Sequence, residues 1–364
     1  MRTKAFPKSR GFLRLDGDAL AHNFAFLRQK AGNARVMAVV KANAYGHGVE
    51  LVAPRLVQAG CDAFAVATPD EALALRTLAP HASVLVLGYT PPARAYELAL
   101  ARISQTVFSI EYARALSREM RRWSIPLPVH LKVDCGMCRL GLAPHDIEGL
   151  FGISRLAGLL PRALYTHFPL ADTDPDATRH SLALFCGCRK LLAPRGLRLP
   201  AHAANSAALL TLPESRLDAV RPGIALYGVS PVATAHSLRP VLSLCAPVVQ
   251  IREIAAGTPV GYGADFVAPA PMRVGVLPIG YADGFSRALG ALPITVRHGS
   301  REYATRVLGR ICMDQTVIDL TSTPARVGDV AVLFRDVTRP AALLNTIPYE
   351  IFTALSARLE RSPQ

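Results

Sequence analysis

The stretch Val36-Met37-Ala38-Val39-Val40-Lys41-Ala42-Asn43-Ala44-Tyr45-Gly46-His47-Gly48 carries more information than any other part of the chain. Its five leading apolar residues read as a buried strand. A lysine stands at the strand's end, followed by a small-residue turn and a tyrosine. Where a barrel strand opens into its loop, a lysine can bind an aldehyde cofactor covalently. Taken alone, a lysine after a core strand is better read as a surface residue.

Outward from this stretch, apolar runs alternate with helical patterns. Strands are expected at 36–40, 63–67, 83–87, 105–108, 129–133, 162–166, 199–203 and 218–221, with helices such as 69–78, 111–123 and 177–192 between them. The first helix starts near Asp18 and puts Leu20, Phe24 and Leu27 on one face, with Asp16 and Asp18 as N-cap candidates. Eight strands alternating with helices argue for an α/β fold, a (β/α)8 TIM-type barrel, with a doubly wound sheet as the alternative. After Ser237 the apolar segments shorten, at 245–254, 273–279, 294–297, 306–311, 316–320 and 330–334, and Gly and Pro punctuate them. A C-terminal β-rich domain is expected there. The expected division is a barrel domain over 12–236 and a β-domain over 237–364 with 1–11, joined through Ser230–Ser237.

Composition narrows the function. The 364 residues are 51% hydrophobic, enough for a large core, and no apolar run is long enough to span a membrane. The basic N-terminus lacks a following apolar region, so a cytoplasmic protein is expected. Seven cysteines do not suggest a secreted disulfide scaffold. The charge of +14 comes from arginines scattered along the chain, without a nucleic-acid motif. It suits a soluble enzyme whose field favours anionic ligands. Cys135-x-x-Cys138 and Cys186-x-Cys188 raise a zinc reading, but the second spacing is not that of a standard pair, and no metal is expected.

Val40–Gly48 resembles the cofactor-lysine motif of the alanine racemase family, which uses pyridoxal 5′-phosphate (PLP). Further stretches resemble family motifs in order: His130–Gly141, Ala201–Ala208, Val220–Gly228, Val260–Ala264, Ile279–Arg287, Gly309–Gln315 and Pro348–Ile351. The resemblance spans about Phe12 to Ile351. It implies the barrel followed by a β-domain, with the first strand pairing in the latter. It also implies a homodimer with shared active sites, acting on the small-molecule substrate alanine, with no nucleic-acid or membrane partner.

The resemblance assigns roles. Lys41 would hold PLP and serve as one catalytic base, on the D face. Tyr262 of the partner subunit would be the other. Tyr45, Ser206, Gly223, Ile224 and Tyr349 would form the phosphate cup, with His167, His202, Asn205 and Arg221 completing the cofactor site. Arg221 would face the pyridine nitrogen and keep it unprotonated. Arg139 and the Met313 N–H would bind the substrate carboxylate. Lys132, carbamylated in many members, would orient Arg139, and Tyr281, Arg287 and Asp314 would line the entrance. Tyr349 favours alanine over serine. Cys135 departs from the family's usual Thr, and Leu359-Glu360 from its Val-Pro.

The implied function is racemisation of alanine, supplying D-alanine for peptidoglycan. The alternatives are a serine or broad-specificity racemase, a PLP-dependent decarboxylase, and a non-catalytic PLP-binding protein. The last two fit less well, because the β-domain is present with Tyr262 and Tyr281 intact.

Overall fold

The computed structural model describes residues 10–233 and 237–363, so part of the expected linker lies outside the described residues. The chain divides into two compact units. One holds residues 18–44 and 48–239; the other holds the described residues up to Gly17, Tyr45–His47, and the chain from Pro240 onward.

The first unit is a closed barrel of eight parallel strands in chain order, as expected. After β1 (Phe12–Leu15), which lies in the other unit, the barrel strands are β2 (Arg35–Val39), β3 (Ala63–Val66), β4 (Ser83–Val86), β5 (Ile103–Val107), β6 (Leu127–Lys132), β7 (Leu159–Tyr165), β8 (Ala201–His202) and β9 (Ala219–Val220). Closure comes from pairing β2 with β9, with Val36 opposite Val220. β2 and β3 bury nearly every residue because the barrel interior covers one face and helices the other. The helix Gly17–Ala31 begins one residue before Asp18, which therefore sits inside the first turn and not at the cap. Other helix starts are capped by side chains: Thr68 on Glu71 N–H, Ser109 on Tyr112 N–H, and Asp174 on Asp176 and Ala177 N–H.

The second unit is β-rich. Its six-stranded sheet includes β1, which pairs antiparallel with Leu242–Pro247 and parallel with Glu360–Pro363. Both ends of the described chain are thus sheet strands side by side. A three-stranded sheet joins Gln250–Ile254, Met272–Leu277 and Thr316–Asp319. The structure corrects two expected segments. Residues 245–254 do not form one strand, because the chain switches sheets at Val248-Val249. Residues 306–311 form a loop, and the strand lies earlier, at Arg301–Thr305, paired with Ile294–His298. That strand is polar and largely exposed, so it lacks the apolar run that marks the others.

Candidate active site

Lys41 follows directly on β2 and is half-buried. The next four residues, Ala42, Asn43, Ala44 and Tyr45, all lie in the left-handed region, with φ of 52°, 54°, 55° and 53°. Each costs roughly 1–2 kcal/mol relative to right-handed backbone. Asn43 closes this turn: its carbonyl accepts from Gly48 N–H at 2.9 Å and its side-chain oxygen from Val49 N–H at 2.8 Å. Burial, then the nearby Arg139, lowers the pKa of the Lys41 amine, while Glu71 pulls the other way. A lowered pKa leaves more of the amine neutral and nucleophilic.

The loop after β6 is organised by Asp134, which the sequence reading left without a role. Its carboxylate accepts the N–H groups of Gly136, Met137, Cys138 and Arg139 at 2.7–3.1 Å. Burial raises its pKa, but these four bonds outweigh that and hold it below the usual range. Arg139 is thereby fixed by its backbone. Cys135 is buried and its thiol is pushed up to about 11 by burial first, with a Thr166 hydrogen bond opposing. It packs beneath the loop, and Asp134 supplies the hydrogen bonds that hold it.

A buried chain of polar groups runs from β6 to the end of β9. Arg221 donates to His202 Nδ1 at 2.6 Å, and His202 Nε2 lies 2.9 Å from His130 Nδ1. A guanidinium only donates, so His202 Nδ1 accepts and its proton sits on Nε2. That proton is then given to His130 Nδ1. Both imidazoles are neutral, and burial followed by the Arg221 charge lowers both pKa values, His130 to about 3. Arg221 also donates to the carbonyls of Thr166 and Ala203 at 2.7 and 3.0 Å. Its pKa falls to about 10, through burial, and it stays charged at neutral pH. The Tyr165 ring stacks on His202 at 4.7 Å, with Arg221 and Lys132 over its face at 5.1 and 5.8 Å.

Ser206 opens the helix Ser206–Thr211, and its hydroxyl accepts the N–H groups of Gly223 at 2.9 Å and Ala225 at 3.4 Å. This brings the 223–225 backbone, Ile224 included, together with the hydroxyl. Asn205 spends its side-chain oxygen capping that helix at Ala208 N–H. His167 feels burial first, then the charges of Arg221, Arg139, Lys132 and Lys41, which together bring it down to about 3. His167 thus lies within the electrostatic reach of all four cations. Among the described residues none of them has an ion-pair partner.

Lys132 is buried at the end of β6. Burial first, then Arg139 and Arg221, lowers it from an ordinary 10.5 to about 8, against the pull of Asp134. Between those values the unfolded chain holds a proton that the folded chain has lost, so stability rises with pH across that window. Below about 8 the cost of burying the charge is fully present. Lys132→Met is expected to raise the urea midpoint below that pH in carbonate-free buffer. The gain should shrink as pH rises to 10.5. A gain that does not change with pH would contradict the assignment.

The second unit carries the other candidates. Tyr45 and Tyr349 lie 5.9 Å apart, and burial first, then Tyr349, raises the Tyr45 pKa. Gly46, at φ +75°, has room for nothing larger: a Cβ would lie 2.1 Å from the Phe352 carbonyl oxygen. Tyr281 N–H bonds the Cys312 carbonyl and Ala282 N–H that of Met313, both at 3.1 Å. The Tyr281 and Met313 loops are thus stitched together. Tyr262 follows Gly261, where an added Cβ would lie 3.7 Å from the Arg310 backbone, and Arg310 pairs with Asp265. Tyr262, Met313 and Tyr281 are 72%, 53% and 43% exposed, a high degree for such side chains. Arg287 is also exposed. Asp314 is held by Arg10 and Arg358, which also grip the fully buried Asp283. Arg10 and Arg358 carried no role in the sequence reading, because nothing local connects residues so far apart in the chain.

A model of the alanine racemase N-terminal domain matches residues 15–231, and a model of the C-terminal domain matches residues 241–363. The chain belongs to the alanine racemase family. "Alanine racemase 2" of Caldanaerobacter subterraneus is 38% identical over 363 residues, covering 94% of this chain and 92% of that protein. The solved alanine racemase of Clostridium difficile superposes with a TM-score of 0.92 at 29% identity, covering 98% of this chain and 96% of the other. The Bacillus anthracis alanine racemase, solved with bound L-Ala-P, gives a TM-score of 0.87 at 30% identity over 97% and 95% of the two chains. The activity is that of an alanine racemase, in a PLP-dependent family. The barrel residues fit such a cofactor. They offer a half-buried lysine, a hydroxyl gathered with backbone N–H groups suited to a phosphate, and an arginine, Arg139, suited to a carboxylate. Among the described residues, no His, Cys, Asp and Glu cluster is arranged to hold a metal, and no helix is long and apolar enough to cross a membrane.

Proposed function

We propose that the chain works as a homodimer in which Lys41 of one subunit and Tyr262 of the partner subunit move the α-proton of alanine from opposite faces. The observation that carries this reading is an exposure. The cations and Lys41 gather in the barrel, whereas Tyr262, Tyr281 and Met313 stand exposed on the other unit. An exposed, stitched group of large side chains suits insertion into a second copy.

When bound, PLP supplies the electron withdrawal that makes the α-proton acidic. Lys41 holds it covalently, and its free amine, with its lowered pKa, takes or returns the proton on the D face. The Tyr262 hydroxyl serves the L face. Arg139 and the Met313 N–H hold the substrate carboxylate. Ser206, Gly223, Ile224, Tyr45 and Tyr349 hold the phosphate. Arg221, charged and donating to a neutral His202, would face the cofactor's pyridine nitrogen as a cation and so disfavour a second positive charge there. Within the proposal, Tyr281, Arg287 and Asp314 line the entrance. Lys132, with a pKa near 8, has enough neutral amine to be captured as a carbamate, an anion that would balance Arg139.

Alanine is the proposed substrate, with Tyr349 limiting the side chain, and D-alanine for cell-wall peptidoglycan the proposed use in the cytoplasm. Chiral chromatography of L-alanine and L-serine incubated with the purified holoenzyme tests this. D-alanine should form faster than D-serine; the reverse order would favour the serine racemase reading.

A further inference from the structure

The left-handed turn after Lys41 is held by a residue outside all the motifs. Glu71 lies in the first turn of the helix Pro69–Leu78, thirty positions along the chain. One of its carboxylate oxygens accepts Ala42 N–H at 2.6 Å. The other accepts Ala67 N–H at 2.7 Å and Thr68 N–H at 3.2 Å. A single half-buried carboxylate thus ties the first left-handed residue after β2 to the end of β3. Among the described residues it has no Lys or Arg ion-pair partner.

Four consecutive left-handed L-residues persist only where the surroundings over-determine them. Asn43 closes the far end of the turn, and Glu71 holds the near end, one peptide from Lys41. Releasing that peptide would let the turn relax and the lysine swing. A displacement of about 1 Å at a reacting group can cost about 10²-fold in rate.

We propose that Glu71 is a positioning residue for Lys41, fixing its backbone by clamping the strained turn through Ala42 N–H. This rests on the reading of Lys41 as the cofactor lysine and base. Glu71 also gives Lys41 a nearby negative charge, which opposes the other influences on its amine.

Three variants test it. Glu71→Gln keeps the shape but has a single acceptor oxygen, so it can satisfy Ala42 or the Ala67–Thr68 pair, not both. Glu71→Asp is one methylene too short to span both. Thr68→Ala removes the helix cap and leaves Ala42 N–H bonded to Glu71. The first readout needs no cofactor. Deuterium exchange of the peptide covering Val40–Gly48 should rise in both Glu71 variants and not in Thr68→Ala. The second is kinetic: kcat for L-alanine should fall at least about 10-fold in the Glu71 variants, with KM within about 3-fold. Thr68→Ala should keep its kcat while losing a comparable amount of thermal stability. Unchanged exchange in Glu71→Gln, or equal loss of kcat in Thr68→Ala, would overturn the proposal. A Lys41→Ala protein that remains active would instead overturn the reading of Lys41, whatever the exchange shows.

Discussion

Lys41→Ala is expected to remove racemisation and the visible absorbance of the PLP-loaded protein together, while leaving the fold intact. The side chain follows β2, the first barrel strand, and is only half-buried, so stability should change little. Activity has no such tolerance. In the proposed mechanism the amine is both the covalent anchor and one of two proton-transfer groups, and the proton-transfer role alone is worth about 10²–10⁴-fold. The four-cation environment cannot replace it. Arg221 keeps its proton at neutral pH, and Lys132 sits in the ring-stacked network with Tyr165. Measured side by side, circular dichroism should be unchanged, colour absent and turnover undetectable. A coloured, active Lys41→Ala protein would remove the lysine from the mechanism.

Tyr262→Phe should separate the two faces. Overall racemisation in either direction should fall by about 10²–10⁴-fold, because inversion needs both groups. Exchange of the α-proton of D-alanine with deuterated water should persist, since Lys41 still serves that face. L-alanine should stop exchanging. KM should hold, as the ring remains and only the hydroxyl is lost. The side chain is 72% exposed, so the substitution should not disturb folding. Equal loss of exchange from both isomers would argue that a single group does both jobs.

The barrel was legible because it repeats one physical pattern. Each strand is covered on both faces, so each reads as a short apolar run, as in β2 and β3. In the second unit the pattern fails where burial is one-sided or absent. Arg301–Thr305 forms its ladder with mostly exposed side chains, and the break at Val248-Val249 is a change of sheet without a change of hydrophobicity. Candidate residues lying within contiguous motifs, such as Lys41, Arg139 and Ser206, could be named in advance. Residues whose side chains hold the backbone of a loop could not. Glu71 uses an ordinary carboxylate on Ala42 N–H, a donor that only the folded chain brings near, and Asp134 holds a loop that no apolar pattern marks. Arg10 meets Asp283 across most of the chain's length, and Arg358 joins them from 75 positions away. The left-handed run over Ala42–Tyr45 was also hidden, since alanine and tyrosine give no sign of positive φ.

The most direct test of the shared site is complementation between two inactive proteins. Lys41→Ala and Tyr262→Phe chains are co-expressed with different tags, and the mixed dimers are purified and assayed on L-alanine. If each site takes its lysine from one chain and its tyrosine from the other, a mixed dimer holds one intact site and one lacking both groups. It should recover about half of the wild-type turnover, as two-fold symmetry requires. Mixed dimers as inactive as either parent would place both groups in one chain and contradict the account.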